Sequence, residues 1–382
     1  MIWLLTLLPF LLLGALVDWD SGDDNDDNDN ENDDENDDGQ EPEPREGEPS
    51  EGDDSITLGD EADVIRALYG DDFVDGNGGD DELYGNGGFD TLRGGDGDDT
   101  LSGNLGEDRL LGEDGDDVID GGPNDDRIDG GNGEDTIDGG FGDDFIRGSG
   151  NFDTIDGGPG NDSILAGPGN DGVTVNPGEG SDTIFAGTGF DTVTVEDAQA
   201  VVFGEGDNDL LLATGTSASV TFDGGEGNDQ LLLAQGAEGT LIGGLGNDVL
   251  QAAGRYGAIS GGAGNDDIYL GRSDADADNG PVTGGEGEDD FFVEARRSGE
   301  APVIADFDTD DDMLALDVPA GVEVTDLTIS VIAGEEGAPD VTQVVARLNG
   351  SMEVLAVLVG DVGLTAEDVV ILQPEPATEA AA

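Results

Sequence analysis

The sequence predicts an all-β fold: a parallel β-roll, a β-helix of nine-residue repeats, followed by a small β-rich C-terminal cap. Three observations predict it. Aspartate recurs at every ninth position from Asp63 to Asp171 without a miss, so that thirteen nonads fill residues 58–174. Two positions after each aspartate stands an aliphatic side chain, from Ile65, Val74 and Leu83 to Ile155, Ile164 and Val173. Glycine dominates the positions ahead of the aspartate, as in Gly94-Gly95-Asp96-Gly97-Asp98-Asp99 and Gly157-Gly158-Pro159-Gly160-Asn161-Asp162. A period of nine is too short for a helical hairpin and fits a β-helical coil.

Within each nonad, six glycine-rich residues ending in Asp are expected to form a turn and the remaining three a short strand. Its central aliphatic residue points inward while the two neighbours face water. Two nonads complete one coil, so two parallel sheets stack face to face. Turns two nonads apart lie above one another on one edge. There their aspartates and glycine carbonyls converge on an all-oxygen cage of the size and flexibility that Ca²⁺ accepts; Mg²⁺ demands tighter octahedral geometry. One aliphatic residue per nonad buries little apolar surface, and stacked aspartates repel, so calcium binding and folding are expected to be one event. Asn124 and Asn151 replace the fourth-position glycine, and asparagine tolerates the left-handed conformation. The first two nonads lack the double glycine, which predicts a capping end coil.

The chain divides in order as follows. Residues 1–17 form an unbroken apolar run, read as a signal or signal-anchor segment and the part of the chain that would meet a membrane. Residues 18–54 are an acidic Asp/Asn and Pro-spaced linker with too little aliphatic content to order. Residues 55–174 hold the regular β-roll. Over 175–298 the period lengthens: the aspartates of Gly224–Asp229, Gly243–Asp248, Gly261–Asp266 and Gly284–Asp289 stand 19, 18 and 23 residues apart, close to two nonads. Carboxylate-poor turns and apolar triplets such as Leu231-Leu232-Leu233 lie between, which predicts the same coil with calcium turns mainly on one edge. Residues 299–373 read as a β-rich cap, where Asn349-Gly350 between Val341–Leu348 and Met352–Val359 marks a hairpin. Thr365–Asp368 leads either into a short helix or into a strand over Val369–Leu372. Residues 374–382 read as a disordered tail.

Composition excludes much chemistry. The 382 residues carry a formal net charge of −82; all 11 basic residues are Arg, and Lys, His and Cys are absent. Such a polyanion repels nucleic acid. No disulfide framework, thiol nucleophile, imidazole base, Schiff-base lysine or Walker-type phosphate loop can be built. Carboxylates and backbone carbonyls remain, the ligand set of hard cations.

These GGxGxDxUx repeats resemble those of the RTX (hemolysin-type calcium-binding repeat) proteins over about residues 58–292. The resemblance implies a parallel β-roll, multiple Ca²⁺ ions in the turns, and export of an unfolded chain that folds in external calcium. It carries ligand roles over to Asp81, Asp90, Asp99, Asp108, Asp117, Asp126, Asp135, Asp144, Asp153 and Asp162, and to Asp63, Asp72 and Asp171 in less complete turns. The looser half adds Asp182, Asp191, Asp229, Asp248, Asp266 and Asp289 to the metal set. Val303–Asp308 followed by Met313–Leu316 is similar to the strand pair that often follows such arrays. The toxins, proteases and lipases of the family carry a separate catalytic or pore-forming region, and none is visible here. The expectation is an exported, non-enzymatic calcium-binding structural protein at the cell surface or outside the cell. The alternatives are a calcium-dependent adhesin or matrix protein on cell-surface polysaccharide or envelope, and a polysaccharide-acting enzyme with paired carboxylates.

Overall fold

The computed structural model describes residues 49–372 apart from 177–179, 254, 272–278, 296–300, 335–337 and 361. The apolar segment 1–17, the linker up to residue 48 and the tail 374–382 lie outside the described residues.

Among the described residues, twenty-eight short strands from Ser55–Thr57 to Met313–Asp317 alternate between two sheets. Each strand pairs in parallel with the strand one coil away, as in Leu83↔Leu101 and Leu92↔Leu110. The result is a parallel β-roll. One coil spans 18 residues in the regular part and 20 at Ile164↔Ile184. It reaches 23 at Ile259↔Val282, while the strands stay stacked.

The strands are longer than the three residues expected. Thr100–Leu105 pairs at Thr100, Leu101 and Ser102, steps over Gly103, and resumes at Asn104 and Leu105. Stacked turns satisfy one another's backbone groups: Gly88 N–H donates to the Leu105 carbonyl at 2.9 Å, and Gly97 N–H to that of Asp114 at 2.8 Å. Parallel stacking therefore extends the ladder well into the glycine-rich part, because buried backbone donors need partners wherever the chain turns.

The core is a single file of side chains two positions after each aspartate. Leu83, Leu92, Leu101 and Leu110 are fully buried, as are Ile146 and Ile164. It also begins one half-coil earlier than the thirteen nonads: Ser55–Thr57 pairs with Phe73–Asp75 and buries Ile56. Beyond about residue 173 a second apolar side chain turns inward in many strands, as in Val193 with Val195 and Leu231 with Leu233. Leu232 faces outward between the latter two, as strand alternation requires.

Both sheets continue past residue 298. Met313–Asp317 pairs with Asp290–Glu294, and Val369–Leu372 adds a last parallel strand beside it. In the other sheet Val303–Ile304 pairs with the hairpin strand Ser351–Val359, whose partner is Val341–Leu348. Asn349 and Gly350 have φ of 47° and 95°, the two left-handed residues a tight hairpin turn requires. Val324–Ile332 completes that antiparallel end.

Candidate metal centre

In the regular part each turn delivers one aspartate to one of the two edges, and the side chains form two relays. Along the first edge, Asp63 N–H donates to Asp81 Oδ1 at 2.8 Å and Asp81 N–H to Asp99 Oδ1 at 2.7 Å. The same bond repeats through Asp117, Asp135, Asp153, Asp171, Asp191 and Asp209. It continues through Asp229, Asp248, Asp266 and Asp289 to Asp312. Along the second edge it runs from Asp54 through Asp72, Asp90, Asp108, Asp126, Asp144 and Asp162 to Asp182. There it stops. In strand register the positions that follow Asp182 in the next coils are Ala200, Val220 and Gly239, none of which carries a carboxylate. The parallel ladder survives the change, Ala200 pairing with Val220 and Val220 with Gly239.

One oxygen of each carboxylate is used in the relay. The other is not. In seventeen aspartates from Asp72 to Asp266, Oδ2 is buried without a hydrogen-bond partner. An unpartnered buried carboxylate oxygen is costly, so a whole ladder of them points to a missing positive partner.

The glycines show where that partner fits. A Cβ on Gly94 would overlap Asp99 Oδ2 and stand 2.8 Å from the Gly112 carbonyl of the next coil; one on Gly103 would overlap Asp108 Oδ2 and stand 2.7 Å from the Gly121 carbonyl. The fifth residue before the aspartate is thus glycine for space: it lines a cradle between a carboxylate oxygen and a carbonyl one coil on. Ala67, Ala166 and Ala186 put a methyl there in the turns of Asp72, Asp171 and Asp191. The fourth and second residues before the aspartate are left-handed, as at Gly95 and Gly97; Asn124 and Asn151 take this role with φ of 88° and 81°.

Burial dominates the electrostatics. It pushes Asp117, Asp126, Asp144, Asp153, Asp162 and Asp248 up to about 7. Asp209 rises to about 8, and Asp90, Asp99, Asp135, Asp191 and Asp266 to about 6. Loss of water is the main cause in every case, and for most a neighbouring carboxylate adds to it. The relay bond from the backbone opposes the rise.

All nineteen aspartates expected from the sequence lie on the two relays, divided between the edges by alternate nonads. Asp63, at the open end, is only half-buried. Asp54, Asp209 and Asp312 belong to the same relays and were not expected. Each has the aliphatic signal two residues on, at Ile56, Leu211 and Leu314. Among the described residues no three carboxylates converge on one point, so a cation held here would need backbone carbonyls as further ligands. The donors are all oxygen, on a flexible glycine backbone, which fits Ca²⁺ and its six to eight oxygen ligands.

Comparison with known proteins agrees. The family described as the RTX calcium-binding nonapeptide repeat (4 copies) matches residues 50–83, 75–110, 84–119, 102–137, 111–146 and 138–173, then 177–211, 212–237, 239–254 and 258–274. The chain belongs to the RTX calcium-binding repeat family. These RTX repeats span more than half of it, and calcium is the ion they bind. A solved structure, that of a hyperactive, Ca²⁺-dependent, β-helical antifreeze protein from an Antarctic bacterium, is similar at 24% identity with a TM-score of 0.36. That likeness covers 65% of this chain and 81% of the other. No curated protein matches.

Proposed function

We propose that the protein is an exported structural element whose RTX repeats stay unfolded inside the cell and fold in external calcium, with ions held by the aspartates of both relays. The ladder of buried, unpartnered Oδ2 atoms carries this reading. A coil that needs cations to fold is useful where calcium is abundant, and extracellular modules bind with Kd of about 10⁻⁴–10⁻³ M. The apolar run 1–17 supports passage through or anchorage at a membrane. Far-UV circular dichroism of the metal-free chain during calcium addition tests it. A folding midpoint in the sub-millimolar to millimolar range is expected; one at or below the micromolar range would let the chain fold in the cytosol and defeat the reading.

One observation favours an adhesive role. On the solvent face of the one-edged half, Tyr269 and Phe292 stack with centroids 4.4 Å apart and planes 6° from parallel. They line a groove with Gln235, Gln251, Glu294 and Asp317. Aromatic faces beside amides and carboxylates suit a hydroxyl-rich sugar chain. Binding of cell-envelope polysaccharide in calcium, lost in Tyr269→Ala and on chelation, would support it; equal binding by the variant would not.

A further inference from the structure

The two outer faces of the regular coil differ in charge. Four consecutive strands of one sheet each carry an arginine on the solvent side: Arg93, Arg109, Arg127 and Arg147. Arg93 pairs with Asp75 and Glu113, and Arg147 with Asp129. Arg109 and Arg127 are exposed and stacked in direct register, with the Arg127 guanidinium 4.9 Å from the Phe145 ring centroid. No ion pair involves either of these two among the described residues. Stacking like charges one strand spacing apart is unfavourable unless an anion meets them.

The other sheet carries the complement. Asp120, Asp138 and Asp156 stack in register on its solvent face, and its strands over these coils contain no basic residue. Asp120 is held above the ordinary carboxylate range by burial and then by the neighbouring Asp138.

Topology aligns the two columns. The chain runs in opposite directions on the two sheets. The third position after an aspartate on one sheet and the first position on the other therefore lie beside the same edge. Asp120 and Asp138 occupy that third position; Arg109 and Arg127 occupy that first position. Asp120 also shares a coil with Arg109, and Asp138 with Arg127. A second copy translated along the sheet normal brings Asp120 opposite Arg109 and Asp138 opposite Arg127, with Val118 facing the Leu111 side.

We infer that calcium-loaded copies stack face to face in one direction, the aspartate column of one copy seated on the arginine column of the next. The contact is heterologous: each copy keeps one free face of each kind, so the stack propagates. Five coils at ~4.8 Å and strands of six residues at ~3.3 Å give roughly 500 Å² per partner, below the ~800 Å² of a standard interface. Each contact is therefore weak and salt-labile. The inference rests on the coil being folded in calcium, and circular dichroism of every sample separates failure to fold from failure to stack.

Sedimentation velocity of the full chain in calcium tests it. Wild type should grow with concentration into species larger than a dimer at low ionic strength and return to monomer at about 1 M salt, where screening acts within ~3 Å. Arg109→Glu with Arg127→Glu, and separately Asp120→Arg with Asp138→Arg, should each stay monomeric. An equimolar mixture of the two variants should associate again, because each then offers the charge the other lacks. A monomeric wild type, association unchanged in the variants, or a mixture that stays monomeric would each overturn the inference.

Discussion

Acid should substitute for calcium. The aspartates that burial raises to about 7 would be ionised near neutral pH once calcium is removed, and each then opposes folding. The group binds its proton more tightly in the coil than in the unfolded chain, where its value is 3.8. Metal-free stability therefore rises as pH falls through the folded value, and the gain is complete only below the unfolded one. A rise from 3.8 to about 7 costs roughly 4 kcal/mol per ionised carboxylate. Six such groups exceed the ~5–15 kcal/mol that a whole domain has to spare. At pH 5 about 2.5 kcal/mol per group is recovered. Far-UV circular dichroism in chelator should show a largely unfolded chain at pH 7.5 and a gain of β-structure between about pH 7 and 4. Full β-structure at pH 7.5 without calcium, or no gain on acidification, would refute the reasoning.

Three substitutions probe single parts of the coil. Gly112→Val places a side chain against Asp117 Oδ2 and the Gly130 carbonyl, and should raise the calcium concentration at the folding midpoint; an unchanged midpoint would show that the cradle is not the ion's place. Asp209→Asn keeps an acceptor for the relay bond from Asp191 and removes the charge, so calorimetry should find fewer or weaker calcium sites while loaded β-content is kept. Leu101→Ala opens a cavity in a single-file core with no second layer to fill it, and should cost about 2–5 kcal/mol in denaturant unfolding of the calcium-loaded protein.

The period itself made the fold legible. Parallel stacking demands that every coil present the same turn and the same inward side chain, so Asp-x-aliphatic recurs wherever a strand begins. The full strand length was hidden. A nonad read alone shows three extended residues, whereas the ladder beyond Gly103 exists only because Asn104 and Leu105 lie under another coil. Asp54, Asp209 and Asp312 escaped because they lack a full glycine-rich approach: Gly204-Glu205-Gly206-Asp207-Asn208 leads into Asp209 with acidic residues in left-handed positions. The thinning of one edge showed in the spacing of Asp229, Asp248 and Asp266. What replaces the carboxylates, Ala200, Val220 and Gly239 in the register of Asp182, was not legible, since such residues have no signature until their register is known. The opposed charges of the outer faces likewise required the register that puts Asp120 beside Asp138.

Isothermal calorimetry of the metal-free chain at pH 7.5, with circular dichroism followed on the same calcium additions, tests the central claim most directly. Heat of binding for multiple calcium ions should appear together with a cooperative gain of β-structure. Full β-structure before any calcium is added, or no heat as it is added, would contradict the account.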